Sequence, residues 1–388
     1  MRISFPSLNT LFGVLLIFAG CDQTSKYAEL DPFYGPLAQG DSLVHPAPQY
    51  ASHRQFEGLA IEKKLTLSVP PGKATDETPP ELIMKWPIHI AIDPEEEFIY
   101  VMDKETFRIN KMSLKDGALV QSITAVQEYK KGNNSAPMIQ YLIDGTVNVF
   151  VPGKKVLTLE PSGEVKEILK HPRKVNSYII PIDADSYVGM TVLNYPELFH
   201  VYNKRGRRTQ SFGFLANLHL REKPEKMEPI GHMLDFMGTL GTDGKSSFVY
   251  SGSLKGGLLG FSKEGTLRFY RETINHRPYP QKALTDQNKD LSPADGEASN
   301  SGLSTLNVWN EVYYQHVIPP CTAESCPQTF TVDAYSYENG DYLYSLNPPA
   351  NCFAVFLTDS HLYANCPSRG LIQFIRPERP QNQLIVER

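Results

Sequence analysis

The chain has 388 residues, of which 41% are hydrophobic and 11% aromatic, and its formal net charge is −5. This is the composition of a globular protein with enough apolar residues for a large core. No block of basic residues stands out, so the sequence predicts that nucleic acid is not a partner.

The first twenty residues have the features of an export signal. Arg2 supplies a short positive region, and residues 11–19 form an apolar stretch too short to span a bilayer, which takes about 20 residues. The stretch ends in "FAGC", which resembles the lipobox of bacterial lipoproteins, with Phe18 where that pattern prefers leucine. The resemblance implies that Cys21 is acylated and anchors the protein to a membrane of the bacterial cell envelope, on its periplasmic or outer-surface side. The alternative is an ordinary secreted protein with a free Cys21.

The other four cysteines predict two disulfide bonds. Cys352 and Cys366 flank "FAVFLTDSHLYAN", which is typical of a β-hairpin, so the two lie on adjacent strands within bridging distance. Cys321 and Cys326 are placed to close a small loop. No Cys/His pair stands at the spacing of a zinc site, and disulfides fit an oxidising envelope compartment.

A polar, proline-rich segment over residues 21–55 is predicted to link the signal to one folded domain over residues 56–388. Within that domain, a strand-like run ends five times in a residue–glycine turn, and another strand follows. The turns are Asp116-Gly117, Ser162-Gly163, Arg205-Gly206, Glu264-Gly265 and Asn339-Gly340. Such pairs suit tight hairpins because glycine accepts positive φ without steric cost. Another hairpin lies upstream of each turn, and the shorter spacings match those of four-stranded propeller blades.

The repeat predicts an all-β fold, a six-bladed β-propeller of four-stranded antiparallel blades. No segment shows a convincing 3.6-residue apolar period, which argues against alternating strands and helices. Six meanders packed radially bury their faces, and closure of the ring protects the sheet edges. The strand-like run 59–69 is a candidate for the edge strand that closes the ring, and "QLIVE" near the C-terminus is a candidate for the last strand of blade 6. The predicted blades start near Ile88, Met138, Asn176, His232, Thr305 and Cys352.

The blade sequence "IAIDPEEEFIYVMD" is similar to the NHL and TolB-like class of six-bladed propellers, and "TVDAYSYENGDYLYSL" resembles it too. The resemblance extends over about residues 81–388. It includes bacterial propeller lipoproteins and implies an architecture rather than a chemistry.

Three insertions are predicted on one face of the propeller, over 214–231, 275–302 and 317–328. Long loops on a rigid scaffold often carry binding residues. The candidates on this face could hold a carboxylate, a phosphate or a sugar, although the same charges could merely solvate the loops. These candidate ligand-binding residues are Arg271, His276, Arg277, Tyr279, Lys255 and Arg369.

The sequence predicts no cofactor. One segment, "DQNKDLSPADGE", places Asp286, Asn288, Asp290 and Glu297 at positions 1, 3, 5 and 12 of a calcium loop. Leu291 stands where that loop requires glycine, so calcium binding is disfavoured.

Two functions remain open. The favoured one is a non-catalytic binding or scaffold module, tethered to a membrane, that recognises a protein or small-molecule ligand with its decorated face. The alternative is an enzyme, a metal-dependent lactonase-like hydrolase or a lyase, with its site at the channel mouth. Asp183 and Asn307 are candidates for the polar ligands that such a metal needs.

Overall fold

The computed structural model describes residues 49, 51–66, 68–69, 71–85, 87–124, 126–127, 138–143, 146–151, 155–160, 162–170, 179–190, 197–214, 238–252, 257–275, 303–317, 331–348, 352, 354–366 and 370–376. These residues form 24 β-strands and three short 3-10 helices, at Ala51–His53, Pro71–Lys73 and Pro80–Leu82. The strands make six four-stranded sheets in which neighbours are antiparallel. The predicted six-bladed β-propeller is confirmed.

In blades 1 to 5 the strands follow one another along the chain from the innermost to the outermost position. The first, β1 (Ala60–Leu65), precedes the blades in sequence. Blade 1 contains β2 (Pro87–Ile92), β3 (Phe98–Asp103), β4 (Ile109–Ser113) and β5 (Leu119–Ile123); blade 2 contains β6 (Met138–Ile143), β7 (Thr146–Val151), β8 (Lys155–Leu159) and β9 (Val165–Lys170); blade 3 contains β10 (Ile179–Pro181), β11 (Ser186–Met190), β12 (Glu197–Asn203) and β13 (Arg208–Phe214). Blade 4 contains β14 (Gly238–Gly241), β15 (Ser247–Gly252), β16 (Gly257–Ser262) and β17 (Leu267–Glu272); blade 5 contains β18 (Leu303–Trp309), β19 (Val312–Val317), β20 (Thr331–Ser336) and β21 (Tyr342–Leu346); blade 6 begins with β22 (Ala354–Leu357), β23 (His361–Cys366) and β24 (Gly370–Ile375).

The N-terminal strand closes the ring. β1 pairs antiparallel with β24, so the order of strands in blade 6 is β22, β23, β24 and β1. A strand from one end of the chain thereby completes the blade made by the other end, as expected for the run 59–69. The segment "QLIVE" lies outside the described residues.

The five predicted glycine turns are confirmed. Each connects the third and fourth strands of a blade, and the five glycines have φ between +74° and +86°. Four of these turns, those of Gly117, Gly163, Gly265 and Gly340, lie against the outer strand of the preceding blade. Gln121 in β5 donates a hydrogen bond to the carbonyl of Ser162 at 3.0 Å, and Gln210 in β13 donates one to the carbonyl of Glu264. The turns therefore bind neighbouring blades together.

The two ends of the propeller differ in the length of their connections. We call the end with the first-to-second and third-to-fourth strand connections the turn face, and the opposite end the insertion face. Between the described strands, no connection on the turn face exceeds five residues. The connections 215–237, 273–302 and 318–330 all leave the sheets on the insertion face.

Apolar side chains fill the spaces between blades. Between blades 3 and 4, Phe199, Phe212, Phe248 and Phe261 pack with ring centroids 5.1–6.0 Å apart. Such aromatic pairs contribute beyond the area that they bury, so this seam is well packed.

One predicted disulfide bond is present. Cys352, just before β22, is bonded to Cys366 at the end of β23. In the hairpin, Ala354 pairs with Asn365. The two cysteines are therefore offset by one residue from the predicted register, in which they would stand directly opposite each other. Cys321 and Cys326 lie outside the described residues.

Candidate functional site

Of the predicted ligand-binding residues, the structure describes Arg271 alone. Arg271 lies in β17 and forms an ion pair with Asp341 in the β20–β21 turn, across the seam between blades 4 and 5. Lys255, His276, Arg277, Tyr279 and Arg369 lie outside the described residues, as do Cys21 and the calcium-like segment 286–297.

The seam between blades 4 and 5 contains a polar layer near the insertion face. Gln315, Asp333 and Ser345 are paired in register across β19, β20 and β21 and are all fully buried. Ser345 donates a hydrogen bond from its hydroxyl to Oδ1 of Asp333 at 2.5 Å. Gln315 donates one from Nε2 to the hydroxyl of Ser251 in β15, at 2.6 Å, which links the two blades.

The carboxylate of Asp333 is neutralised from outside the blade. Arg54 precedes β1, and its Nη2 donates to Oδ2 of Asp333 at 3.0 Å. The same nitrogen donates to Oδ1 of Asn275 at 2.5 Å, and Asn275 Nδ2 donates back to Oδ2 of Asp333. Asn275 stands within connection 273–302, so the ion pair lies where one of the long connections leaves the propeller.

Two buried polar atoms in this layer have no hydrogen-bond partner among the described residues, Oε1 of Gln315 and Nε of Arg54. A buried polar group without a partner costs about 1–3 kcal/mol, so such groups tend to occur where a ligand or a water completes the bonding. Both atoms lie in the seam between blades 4 and 5, beside the ion pair of Arg54 with Asp333.

Sequence reasoning missed this layer. It placed Arg54 in the linker, whereas Gln49 and residues 51–57 contact blade 5. The signal available in the sequence was the row of polar residues at inward-facing positions of strongly apolar strands. Asp333 in "TVDAYS" and Gln315 in "VYYQHV" both break the aromatic and aliphatic pattern of their strands.

A second cluster lies on the turn face, where blade 6 meets blade 1. Nδ1 of His361 is 2.8 Å from Glu96 Oε2, and Nε2 is 3.0 Å from Glu62 Oε2. Glu62 belongs to the closing strand β1. The imidazole of His361 thus connects the β2–β3 turn of blade 1 to the strand that closes the ring. A pocket of about 430 Å³ adjoins the cluster and is lined in part by Lys63, Glu97 and Phe98.

The environment of Glu96 favours its charged form. Burial raises the pKa of this carboxyl, but hydrogen bonds from Tyr363 and His361 outweigh burial, and the pKa lies below its usual value. The Tyr363 hydroxyl is 2.7 Å from Glu96 Oε2, and burial together with this bond raises the pKa of the phenol.

The candidate metal ligands from the sequence serve to join blades. Asp183 accepts hydrogen bonds from Lys263 Nζ and Ser246 Oγ, each at 3.0 Å, between blades 3 and 4. Asn307 in β18 bonds through Nδ2 and Oδ1 to the backbone of Leu357 in β22. Across the described part of the chain, no three His, Cys, Asp or Glu side chains are grouped to hold a metal ion. No helix of that part is long and apolar enough to cross a membrane.

No family model matches the sequence, and no curated protein matches it. The fold does resemble known structures. A member of the DUF4221 family from Bacteroides vulgatus ATCC 8482 superimposes with a TM-score of 0.50 at 11% sequence identity, covering 83% of this chain and 98% of that one.

Other propellers superimpose less closely. The WD40 domain of Doa1 gives a TM-score of 0.45 at 11% identity, covering 86% of this chain and 99% of that one. Regucalcin, a calcium-binding protein from Agrobacterium tumefaciens str. C58, gives 0.41 at 9% identity, covering 82% and 95%. Identities this low show a shared fold and nothing about function, because one fold supports many activities. The NHL and TolB-like resemblance stays a prediction.

Proposed function

We propose that the protein is a lipid-anchored binding module of the bacterial cell envelope that recognises a protein partner through its insertion face. The observation that carries the proposal is the difference between the two ends of the propeller. Connections between the described strands on the turn face have at most five residues, whereas the strand ends joined by 215–237, 273–302 and 318–330 are all at the other end. Long connections held by a rigid scaffold are where binding residues concentrate.

The polar layer supports a position for binding near blades 4 and 5. Two of the three long connections begin from residues near it: 273–302 contains Asn275, and 318–330 joins β19 to β20, the strands that carry Gln315 and Asp333. The same seam also contains buried aromatic rings, among them Phe269, Tyr313 and Tyr335, so the polar layer occupies one part of it. A buried polar layer costs stability unless its groups are satisfied, so its position beside two insertions favours a role in recognition.

A pair of single-site photo-crosslinkers tests the proposal in cells that produce the full-length protein. The first replaces Asn347, which is exposed at the insertion-face end of blade 5, with benzoyl-phenylalanine. The matched control replaces Lys245, which is exposed in the β14–β15 turn on the turn face. We expect a defined crosslinked protein from position 347 and none from position 245. Crosslinks from position 245 alone, or equally from both, would contradict the proposal.

Lipid anchoring is tested separately. We expect the protein to incorporate an alkyne-bearing fatty acid in growing cells and to fractionate with membranes. Cys21→Ser should abolish both, because the thiol at this position is the proposed acylation site. Label that persists in the Cys21→Ser variant would disprove the proposed anchor.

A further inference from the structure

The segment that precedes β1 is bound along the edge of blade 5. We call Gln49 and residues 51–57 the N-terminal strap. Phe56 pairs parallel with Ser345 of β21, the Glu57 amide donates to the Ser345 carbonyl at 2.9 Å, and the Ser345 amide donates to the Gln55 carbonyl at 2.7 Å. The strap thus adds a short extended segment to the open edge of the outermost strand, the arrangement by which extended peptides bind to sheet edges.

Two side chains of the strap enter the seam between blades 4 and 5. Arg54 binds Asp333 and Asn275 in the polar layer. Gln49 donates from Nε2 to the carbonyls of Glu272 at 3.0 Å and Gly340 at 3.2 Å, and its Oε1 accepts the amide of Tyr342. These contacts fit an extended chain that carries one arginine, because a guanidinium can donate hydrogen bonds to a buried carboxylate and to a neighbouring amide oxygen.

The strap is held almost without apolar burial. Ser52, His53 and Gln55 are exposed, and Phe56 retains 55% of its accessible surface. The closing strand β1 differs, because it pairs with β24 over five residue pairs and buries Leu65. Segments with few buried apolar contacts open at much lower free energy than the core, so the strap should separate from the seam while the blades stay folded.

We propose that the crevice formed by Asp333, Asn275 and the edge of β21 is a recognition site for an extended, arginine-bearing segment of a partner protein. In the isolated chain the strap fills this site, and the partner segment replaces it. When Arg54 leaves, the buried carboxylate of Asp333 loses its counter-charge, which favours the entry of another guanidinium. This inference rests on the proposed function in one respect, that the partner approaches the insertion face.

Hydrogen exchange of the unmodified full-length protein tests whether the strap opens. The amides of Glu57 and Ser345 report on the strap, and those that join β20 to β21 report on the blade. We expect the strap amides to exchange about 100-fold faster than the blade amides. Exchange at the same rate would mean that the strap is a permanent part of the fold, and the inference would fail.

Binding in trans tests the recognition itself. The probe is a fluorescent peptide with the sequence of residues 49–58, QYASHRQFEG, titrated against full-length protein carrying Arg54→Ala. We expect saturable binding at least about tenfold tighter than that of the peptide with alanine in place of its arginine. Adding Asp333→Asn to the protein should remove this preference. Equal binding of the two peptides to the Arg54→Ala protein would overturn the inference.

A second variant of the full-length protein controls for misfolding of the Arg54→Ala protein. Gln49→Ala weakens the other anchor of the strap and leaves the ion pair intact, and both variants are checked by their melting curves. If neither variant prefers the arginine peptide while position 347 still crosslinks a partner, the binding face stands and the arginine site is wrong. If the arginine peptide binds and position 347 gives no crosslink, the proposed insertion-face partner is wrong instead.

Discussion

The glycine turns make a quantitative prediction, because three glycines of this chain differ in what an added methyl group would meet. Gly265 has φ +81°, and a Cβ there would lie 2.7 Å from two ring atoms of Phe212. Gly117 has φ +77°, but its nearest neighbours would be at an ordinary 3.5 Å. Gly58 has open space, with nothing within 4 Å of a Cβ. Alanine at the three positions therefore separates backbone strain from overpacking.

The expected costs follow from these distances. Gly58→Ala should change the free energy of unfolding by no more than about 0.5 kcal/mol. Gly117→Ala should cost about 1–2 kcal/mol, the penalty for a side chain in the left-handed region. Gly265→Ala should cost about 2–5 kcal/mol, because overpacking adds about 1–3 kcal/mol to the same backbone penalty. Phe212 cannot move away easily, since its ring packs against Phe199 and Phe261 with centroids 5.6 Å distant in both cases.

Urea denaturation of the wild type and the three alanine variants, followed by fluorescence, measures these costs. The free energy of unfolding should depend on urea concentration with the same slope in all four proteins. The order of stability should be wild type and Gly58→Ala, then Gly117→Ala, then Gly265→Ala. If Gly265→Ala were as stable as Gly117→Ala, the turn of blade 4 would not be packed against blade 3 as described, and the reasoning on inter-blade turns would be refuted.

Three further predictions concern pH and covalent structure. Burial, with the charge of Lys104, lowers the pKa of His89 from 6.5 to about 4. The unfolded chain therefore binds more protons than the folded protein in this range. As the pH is lowered from 6.5 to 4, the free energy of unfolding should fall by about 1.4 kcal/mol per pH unit. His89→Gln should remove that part of the slope in urea titrations across this range, and an unchanged slope would show that folding does not lower the pKa of His89. Because hydrogen bonds hold the pKa of Glu96 below its usual value, Glu96→Gln should cost about 1 kcal/mol at neutral pH. That cost should vanish as the pH falls through the folded-state pKa, and a cost that persists in acid would rule out a role for the charge. Replacing Cys352 and Cys366 together with serine should cost about 3 kcal/mol, as for a closed loop of this length, and an unchanged melting temperature would argue against the bond.

The repeating architecture was accessible from the sequence because its signals are local. A residue–glycine turn and the strands beside it lie within a dozen residues, so the turns at Gly117 and Gly340 identified their blades. The hairpin between Cys352 and Cys366 was predictable for the same reason.

The candidate sites were not accessible, because they depend on closure of the ring. Arg54 and Asp333 are 279 positions apart in sequence, and Glu96 and His361 are 265 apart. No periodicity relates such residues until the ring brings the two ends of the chain together. Arg54 in particular looked like part of a polar linker, because the polar residues beside it, Ser52, His53 and Gln55, are exposed while its own side chain enters the seam.

One affinity measurement tests whether the partner binds at the insertion face. The partner captured from position 347 is purified and titrated against the full-length protein and against a variant in which residues 276–301 are replaced by a short glycine–serine linker. A matched variant, Lys245→Glu, alters the turn face. We expect the shortened variant to keep its melting temperature and to bind at least about tenfold more weakly, while Lys245→Glu binds normally. Unchanged affinity of the shortened variant, with loss of affinity in Lys245→Glu, would place binding on the turn face and refute the proposed binding face.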